Sequence, residues 1–325
     1  MRAVIFDRPG EPEVLRVADL PDPVPGQGEI LVRVRAAGIN RADLLQRSGR
    51  YPPPAGEPEI LGLEFAGEVV GLGPGCTRHK TGDRVMALVA GGAYATLAVT
   101  PESTAWPVPA ALDWRQAAAV PESFLTAWLN LFDMGALRAG ETVLVHAGAS
   151  GVGSAVIQLA RESGATVFAT AGSDTKLALC RQLGATQALH REREDFPSAV
   201  LQATAGEGVH LVIDFVGAPY WAGNLRALRT GGRLVLVGFL GGSSGELDLG
   251  LVMRKSLTVR GTTLRGRPRV DKARLCEQAA PFVLPRLADG RLRPLVDCAF
   301  AAQDVAAAHE YVAANRSAGK VILEF

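Results

Sequence analysis

The stretch VLVHAGASGVG, residues 143–153, decides the fold. Its front half reads as a short buried strand, its glycine-rich half as a tight turn, and the SAVIQLAR that follows as a helix. A G-x-G-x-x-G turn between strand and helix cradles a pyrophosphate, because its glycines permit the turn, a close backbone approach and strand–helix packing. Here Gly148 and Gly153 take the outer positions, and Ser150 stands where the middle glycine would be, with Gly151 beside it. A serine hydroxyl can donate to phosphate, while Gly151 and Val152 open a helix whose first amides attract anions. Alone, such a turn can equally be punctuation between strand and helix. Its surroundings favour the dinucleotide.

From Thr142 onward, strand-like runs alternate with helical periodicity. The runs are TVLVHA, TVFATA, QALH, VHLVIDFVG, RLVLVGFL and LTVRGTT. Six mostly apolar strands with helical crossovers predict an α/β fold, a Rossmann-type doubly wound parallel sheet covered on both faces. Upstream, residues 1 to about 100 read as short strands separated by Pro and Gly clusters, interrupted by the amphipathic RADLLQRSG. Downstream come a long helix, a strand around VDCAF, another helix and KVILEF, a strand with no sheet of its own. The economical reading returns that strand to the first domain. The expected division is residues 1–117 with 262–325 for a β-rich domain, and 118–261 for the dinucleotide-binding domain.

The second strand of the alternation selects the dinucleotide. An NAD site usually carries an acid about 20 residues after the glycine turn, to accept from the ribose hydroxyls. That position falls at Gly172 or Ser173, and Lys176 and then Arg191 follow within reach. Two cations without a strand-end acid suit the 2'-phosphate of NADPH. Asp174 is the competing observation, since turned inward it would accept from a free ribose hydroxyl. Gly217, in DFVG, falls at the carboxyl end of a parallel strand, where such sheets bind ligands.

Composition narrows the class. Thirty-four basic residues face thirty-three acidic ones, for a net charge of +1, so nucleic acid is not an expected partner. Apolar runs are strand-sized, far short of a membrane span, and the charged N-terminus does not read as a signal peptide. The four cysteines are scattered without a Cys-x-x-Cys pair, as in a cytoplasmic protein with reduced thiols. The turn GASGVG is not a G-x-S-x-G nucleophile elbow.

The stretches RAAGINRADLLQRSGRYPPP, LGLEFAGEVVGLG, GDRVMAL, GAYATLAV, LTAWLNL, HAGASGVG, GEGVHLVIDFVG and GGRLVLVG occur in the order of a known family over nearly the whole chain. In them the chain resembles the medium-chain dehydrogenase/reductase superfamily, and within it the zinc-free, zeta-crystallin-like NADPH:quinone oxidoreductases. The resemblance implies that the β-rich domain is GroES-like and discontinuous. In the metal-dependent members a cysteine stands where this chain has Asn40, and a Gly-His-Glu triplet where it has Gly62-Leu63-Glu64. Leucine cannot hold zinc, and the five histidines lack ligand spacing. No metal is therefore expected.

Without a Lewis acid, the acceptor must already be electron-poor, as a quinone or an activated enone is. The resemblance points to Asn40 and Tyr51 as donors to the acceptor oxygen, although Asn40 would also serve as a helix cap and Asp43 as support for the first turn. It further implies Thr126, Phe239, Leu264 and Arg265 as cofactor contacts, and a homodimer joined along SLTVRGTTL. The expected activity is NADPH-dependent quinone reduction by hydride transfer. The alternatives are an enone or enal double-bond reductase, and a non-catalytic NADPH-binding protein.

Overall fold

Buried and more exposed residues alternate along Glu29–Arg35, and from Ala36 to Ile39 every residue is buried. In the computed structural model, which describes all residues from Met1 to Phe325, this eleven-residue strand organises the first of two compact units. That unit comprises Met1–Leu125 with Arg265–Phe325, and the second comprises Thr126–Leu264.

The first unit is built from a small antiparallel pair, β1 (Arg2–Ile5) with β2 (Arg16–Asp19), and a seven-stranded sheet. The sheet contains β3 (Glu29–Ile39), β4 (Glu64–Leu72), β5 (Arg84–Leu88), β6 (Leu97–Pro101) and β7 (Ala105–Pro107). Two further strands, β14 (Val296–Ala301) and β15 (Lys320–Glu324), join it from beyond the second unit. β3 is too long for one partner on each side. It pairs with β4 along one edge, and its other edge is shared, Glu29–Arg33 against β6 and Ala36–Ile39 against β15. The returning strand thus completes the sheet. Ile30, Val32, Val34, Phe65, Val85, Tyr94, Val305, Val321 and Leu323 close over one core. Helices α1 (Arg41–Arg47), α2 (Trp114–Ala118), α9 (Arg269–Ala288) and α10 (Val305–Ala313) belong to this unit, and α3 (Pro121–Trp128) begins in it.

The second unit is a six-stranded, wholly parallel sheet. Its strands are β8 (Thr142–Val145), β9 (Thr166–Ala171), β10 (Gln187–His190), β11 (Val209–Asp214), β12 (Leu228–Leu236) and β13 (Thr258–Gly261). Their order is β10-β9-β8-β11-β12-β13. β8, β9 and β11 are buried along almost their whole length, as a sheet covered on both faces requires. The crossovers are α4 (Gly151–Glu162), α5 (Asp174–Leu183), α6 (Phe196–Ala203), α7 (Trp221–Ala227) and α8 (Leu249–Arg254). The strand order reverses between β8 and β11. The carboxyl ends of those two strands therefore flank the crevice where open α/β sheets bind ligands.

Two backbone groups of the edge strand β10 are taken by side chains. Arg181 donates to the carbonyl of Ala188 at 3.1 Å, and Glu194 accepts the His190 amide at 2.5 Å. No helix is long and apolar enough to cross a membrane.

Candidate functional site

In the second unit, the glycine-rich turn lies at the carboxyl end of β8 and leads into α4. Ser150 is the N-cap, its Oγ accepting the Gly153 amide at 3.0 Å. The amides of Gly151 and Val152, in the first helical turn, find no acceptor in the turn before them. Free amides at the positive end of a three-turn helix suit a pyrophosphate. Gly148 is held by its amide, which donates to Thr170 O at 2.9 Å.

At the end of β9, Ser173 caps α5 by accepting the Lys176 amide at 3.3 Å. Arg191 lies over Gly172, its Nε 2.9 Å from where a Cβ would stand, so a side chain there would push the guanidinium aside. Ser173, Lys176 and Arg191 are thus gathered beside one strand end. Asp174 is turned away into an ion pair with Arg193, which the sequence reading missed. The Arg193 guanidinium holds its carboxyl below the usual range. The only signal in the sequence was the charge density of HREREDF.

Gly217 follows β11 with φ 88° and ψ −137°, a conformation open only to glycine. A Cβ there would meet Gly242 O at 2.5 Å and Phe239 at 3.3 Å. The structure therefore brings Gly217 and Phe239 together. Phe239 is 60% exposed, not core. Thr126 is buried on α3, which runs on as a π-helical turn, Leu129–Met134. Asn130 in that turn donates to Thr126 O at 2.7 Å and accepts from Thr262 at 3.1 Å. Such π-turns recur at functional sites. Leu264 is buried at the unit's end.

In the first unit, Asn40 is the N-cap residue of α1, but Asp43 does the capping. Its Oδ2 accepts the Asn40 amide at 2.7 Å and the Tyr94 hydroxyl at 3.0 Å, and its Oδ1 accepts the Gly62 amide at 3.1 Å. Burial pushes the Asp43 carboxyl up to about 6, with these hydrogen bonds and the Lys320 charge opposing. The Asn40 side chain is left to face Glu64 and Lys320. Its Nδ2 donates to Glu64 Oε1 at 3.0 Å, and its Oδ1 accepts from Lys320 Nζ at 2.7 Å. Lys320 also lies 2.5 Å from Glu64 Oε1 and donates to Ile39 O at 3.0 Å. Glu64 Oε2 accepts the Glu122 amide at 2.8 Å, in the first turn of α3, where the helix dipole favours an anion. Lys320 was not anticipated.

Tyr51 sits on the loop after α1, and its hydroxyl makes no hydrogen bond within the protein. Burial pushes its pKa up, and the Arg265 charge opposes this. The Arg265 guanidinium lies 5.4 Å over the Tyr51 ring. It also donates to Ala90 O and Gln46 Oε1, both at 2.7 Å, and to Tyr51 O at 3.4 Å. Arg265 is 4% exposed, with its guanidinium turned into the first unit beneath Tyr51.

Residues 26–110 match the alcohol dehydrogenase GroES-like domain, and residues 151–278 match the zinc-binding dehydrogenase family. The chain is 37% identical to a quinone oxidoreductase of Pseudomonas aeruginosa over 325 residues, 99% of each protein. It is 39% identical to phthioceranic/hydroxyphthioceranic acid synthase of Mycobacterium tuberculosis over 231 residues. That match takes in 71% of this chain but spans only 11% of the synthase. The Escherichia coli quinone oxidoreductase complexed with NADPH superposes with a TM-score of 0.90 at 31% identity, covering 100% of both chains.

Proposed function

Because the chain belongs to the quinone oxidoreductase branch of the medium-chain dehydrogenase/reductase superfamily, we propose that it reduces quinones with NADPH and needs no metal to do so. The observation that carries this reading is the state of Glu64. One of its oxygens is taken by Lys320 and Asn40, the other by the Glu122 amide. No lone pair is well placed for a cation, the adjacent ammonium repels one, and the neighbouring position of the metal triplet is the buried Leu63. The donor set does not fit zinc. Polarising the acceptor oxygen then falls to hydrogen-bond donors, and an acceptor as electron-poor as a quinone needs no more.

When bound, NADPH supplies the hydride. Ser150 and the amides of Gly151 and Val152 hold the pyrophosphate, with Gly148 and Gly153 shaping the turn. Ser173, Lys176 and Arg191 receive the 2'-phosphate, and the Arg193 pairing keeps Asp174 out of competition with it. Gly217, Phe239, Thr126 and Leu264 serve the nicotinamide end. Tyr51 donates its unpartnered hydroxyl to the acceptor oxygen, and Asn40 adds its amide, oriented by Lys320 and Glu64. Arg265 supports Tyr51. Leu247, Leu249 and the 78% exposed Met253 lie in the segment before the free edge strand β13, which supports a homodimer through that edge.

A second reading, reduction of a carbon–carbon double bond conjugated to a carbonyl, is favoured by the 231-residue match to a synthase rather than a quinone reductase. One assay separates them. Chelator-treated protein is mixed with NADPH or NADH and either a small quinone or an enone. Rapid, NADPH-preferring quinone turnover is expected. Enone turnover alone would select the second reading, and NADPH binding without turnover of either would leave a binding protein.

A further inference from the structure

One buried network in the second unit takes part in no step described above. His146, Asp214 and Asn224 are wholly buried and Thr170 almost so, and they come from the end of β8, from β11, from α7 and from β9. Asp214 Oδ1 accepts the amide of Val216 at 2.7 Å and that of Gly217 at 3.2 Å, so the carboxylate shapes the turn in which Gly217 stands. Its Oδ2 accepts from Asn224 Nδ2 at 3.0 Å. With that amide nitrogen committed, Asn224 Oδ1 must be the acceptor for His146 Nε2 at 2.7 Å. Nε2 therefore carries the proton, and Nδ1 accepts from the Thr170 hydroxyl at 2.9 Å. Phe196 and Tyr220 seal the ring edge-on, with centroids 4.9 and 4.7 Å away.

Burial keeps this imidazole neutral, its pKa held down at about 4, and raises that of Asp214 to about 6. At neutral pH these hydrogen bonds fix a single tautomer of His146. A fully satisfied polar network of this kind specifies one geometry where an apolar core would tolerate several. The three strand ends it joins lead into different turns. His146 opens the glycine-rich turn, Thr170 lies two residues before Gly172, and Asp214 two before Val216.

We propose that Asp214, Asn224, His146 and Thr170 form a positioning relay that fixes the mutual register of the turns after β8, β9 and β11. It thereby sets the affinity for the dinucleotide without touching it. This rests on the NADPH reading, and its test uses binding rather than turnover. NADPH would be titrated calorimetrically into the full-length wild type and the Asn224→Leu, Thr170→Val and His146→Gln variants, with the folded fraction of each measured by circular dichroism. Asn224→Leu should weaken binding at least tenfold and the near-isosteric Thr170→Val about threefold or more. His146→Gln should stay within twofold, because its amide can donate to Asn224 and accept from Thr170. In nitrogen-15 spectra of the wild type, the His146 Nε2–H signal should shift when NADPH is added.

Wild-type affinity in the folded Asn224→Leu and Thr170→Val variants would overturn the relay. So would an Nε2–H signal that NADPH leaves unmoved, or affinity losses no larger than the loss of folded protein. Absence of NADPH binding by the wild type would overturn the cofactor reading, and the relay with it.

Discussion

Replacing Lys320 by methionine tests the charge arrangement in the first unit. The ammonium and the Glu64 carboxylate are almost inaccessible, with side-chain exposures of 5% and 0%. Methionine keeps most of the volume but strands a buried carboxylate with only the Asn40 amide and one backbone N–H. Breaking a buried pair by removing one partner costs about 3–5 kcal/mol. For a unit of this size that lowers the melting temperature by roughly 10 °C. The decisive comparison is the double variant Lys320→Met with Glu64→Gln. A neutral glutamine can still accept the Glu122 amide, and no charge is orphaned. Most of the loss should therefore return, leaving the double variant more stable than Lys320→Met alone. Urea denaturation of the wild type, both single variants and the double variant gives the coupling energy. The reasoning fails if Lys320→Met costs less than about 1 kcal/mol, or if the double variant loses the sum of the single losses.

Three further outcomes are expected. Tyr51→Phe should slow quinone turnover at saturating NADPH tenfold or more, by about 1.4 kcal/mol or above, while calorimetry finds NADPH affinity unchanged; undiminished turnover would leave Tyr51 as loop packing. Lys176→Ala should raise the KM for NADPH about tenfold, the worth of one charged hydrogen bond, and leave that for NADH unaltered; equal effects on both would remove Lys176 from the 2'-phosphate. His146 is held at about pKa 4 by burial, so the unfolded chain binds its proton more tightly. Its contribution to stability is complete above about pH 6.5 and is lost as the pH falls toward 4, by ~3 kcal/mol. His146→Gln should remove that component from a pH series of urea midpoints, and a series identical to the wild type would count against it.

What was legible in the sequence was local or periodic. The turn at Gly148–Gly153 needs only residues close in sequence to be recognised, and the six parallel strands announce themselves by apolar runs at regular spacing. KVILEF could be returned to the first domain because it had no neighbour to pair with. The side chains around Asn40 were a different matter. A cap position and an amphipathic helix could be read from RADLLQR, but the lysine that orients Asn40 lies 280 residues away. No spacing rule reaches that far. Arg265 is legible only in part: its place just after the sixth strand suggested the cofactor, but that place does not say that its long side chain packs against Tyr51. His146 stood in the most carefully read stretch of all, yet its partners Thr170, Asn224 and Asp214 become neighbours only once the sheet is wound.

The position of β15 imposes an order of events on synthesis. The second unit, Thr126–Leu264, is contiguous and can close as soon as its sixth strand has emerged. The first unit cannot, because one edge of β3 waits for a strand encoded some 280 residues later. Until then Ala36–Ile39 present an unpaired, wholly apolar edge, and Glu64 faces a growing core with no counter-charge. The nascent chain is thus most exposed to misassociation late in translation. Any truncation or slow translation before Lys320 strikes the acceptor side of the proposed chemistry while leaving a well-folded cofactor unit behind.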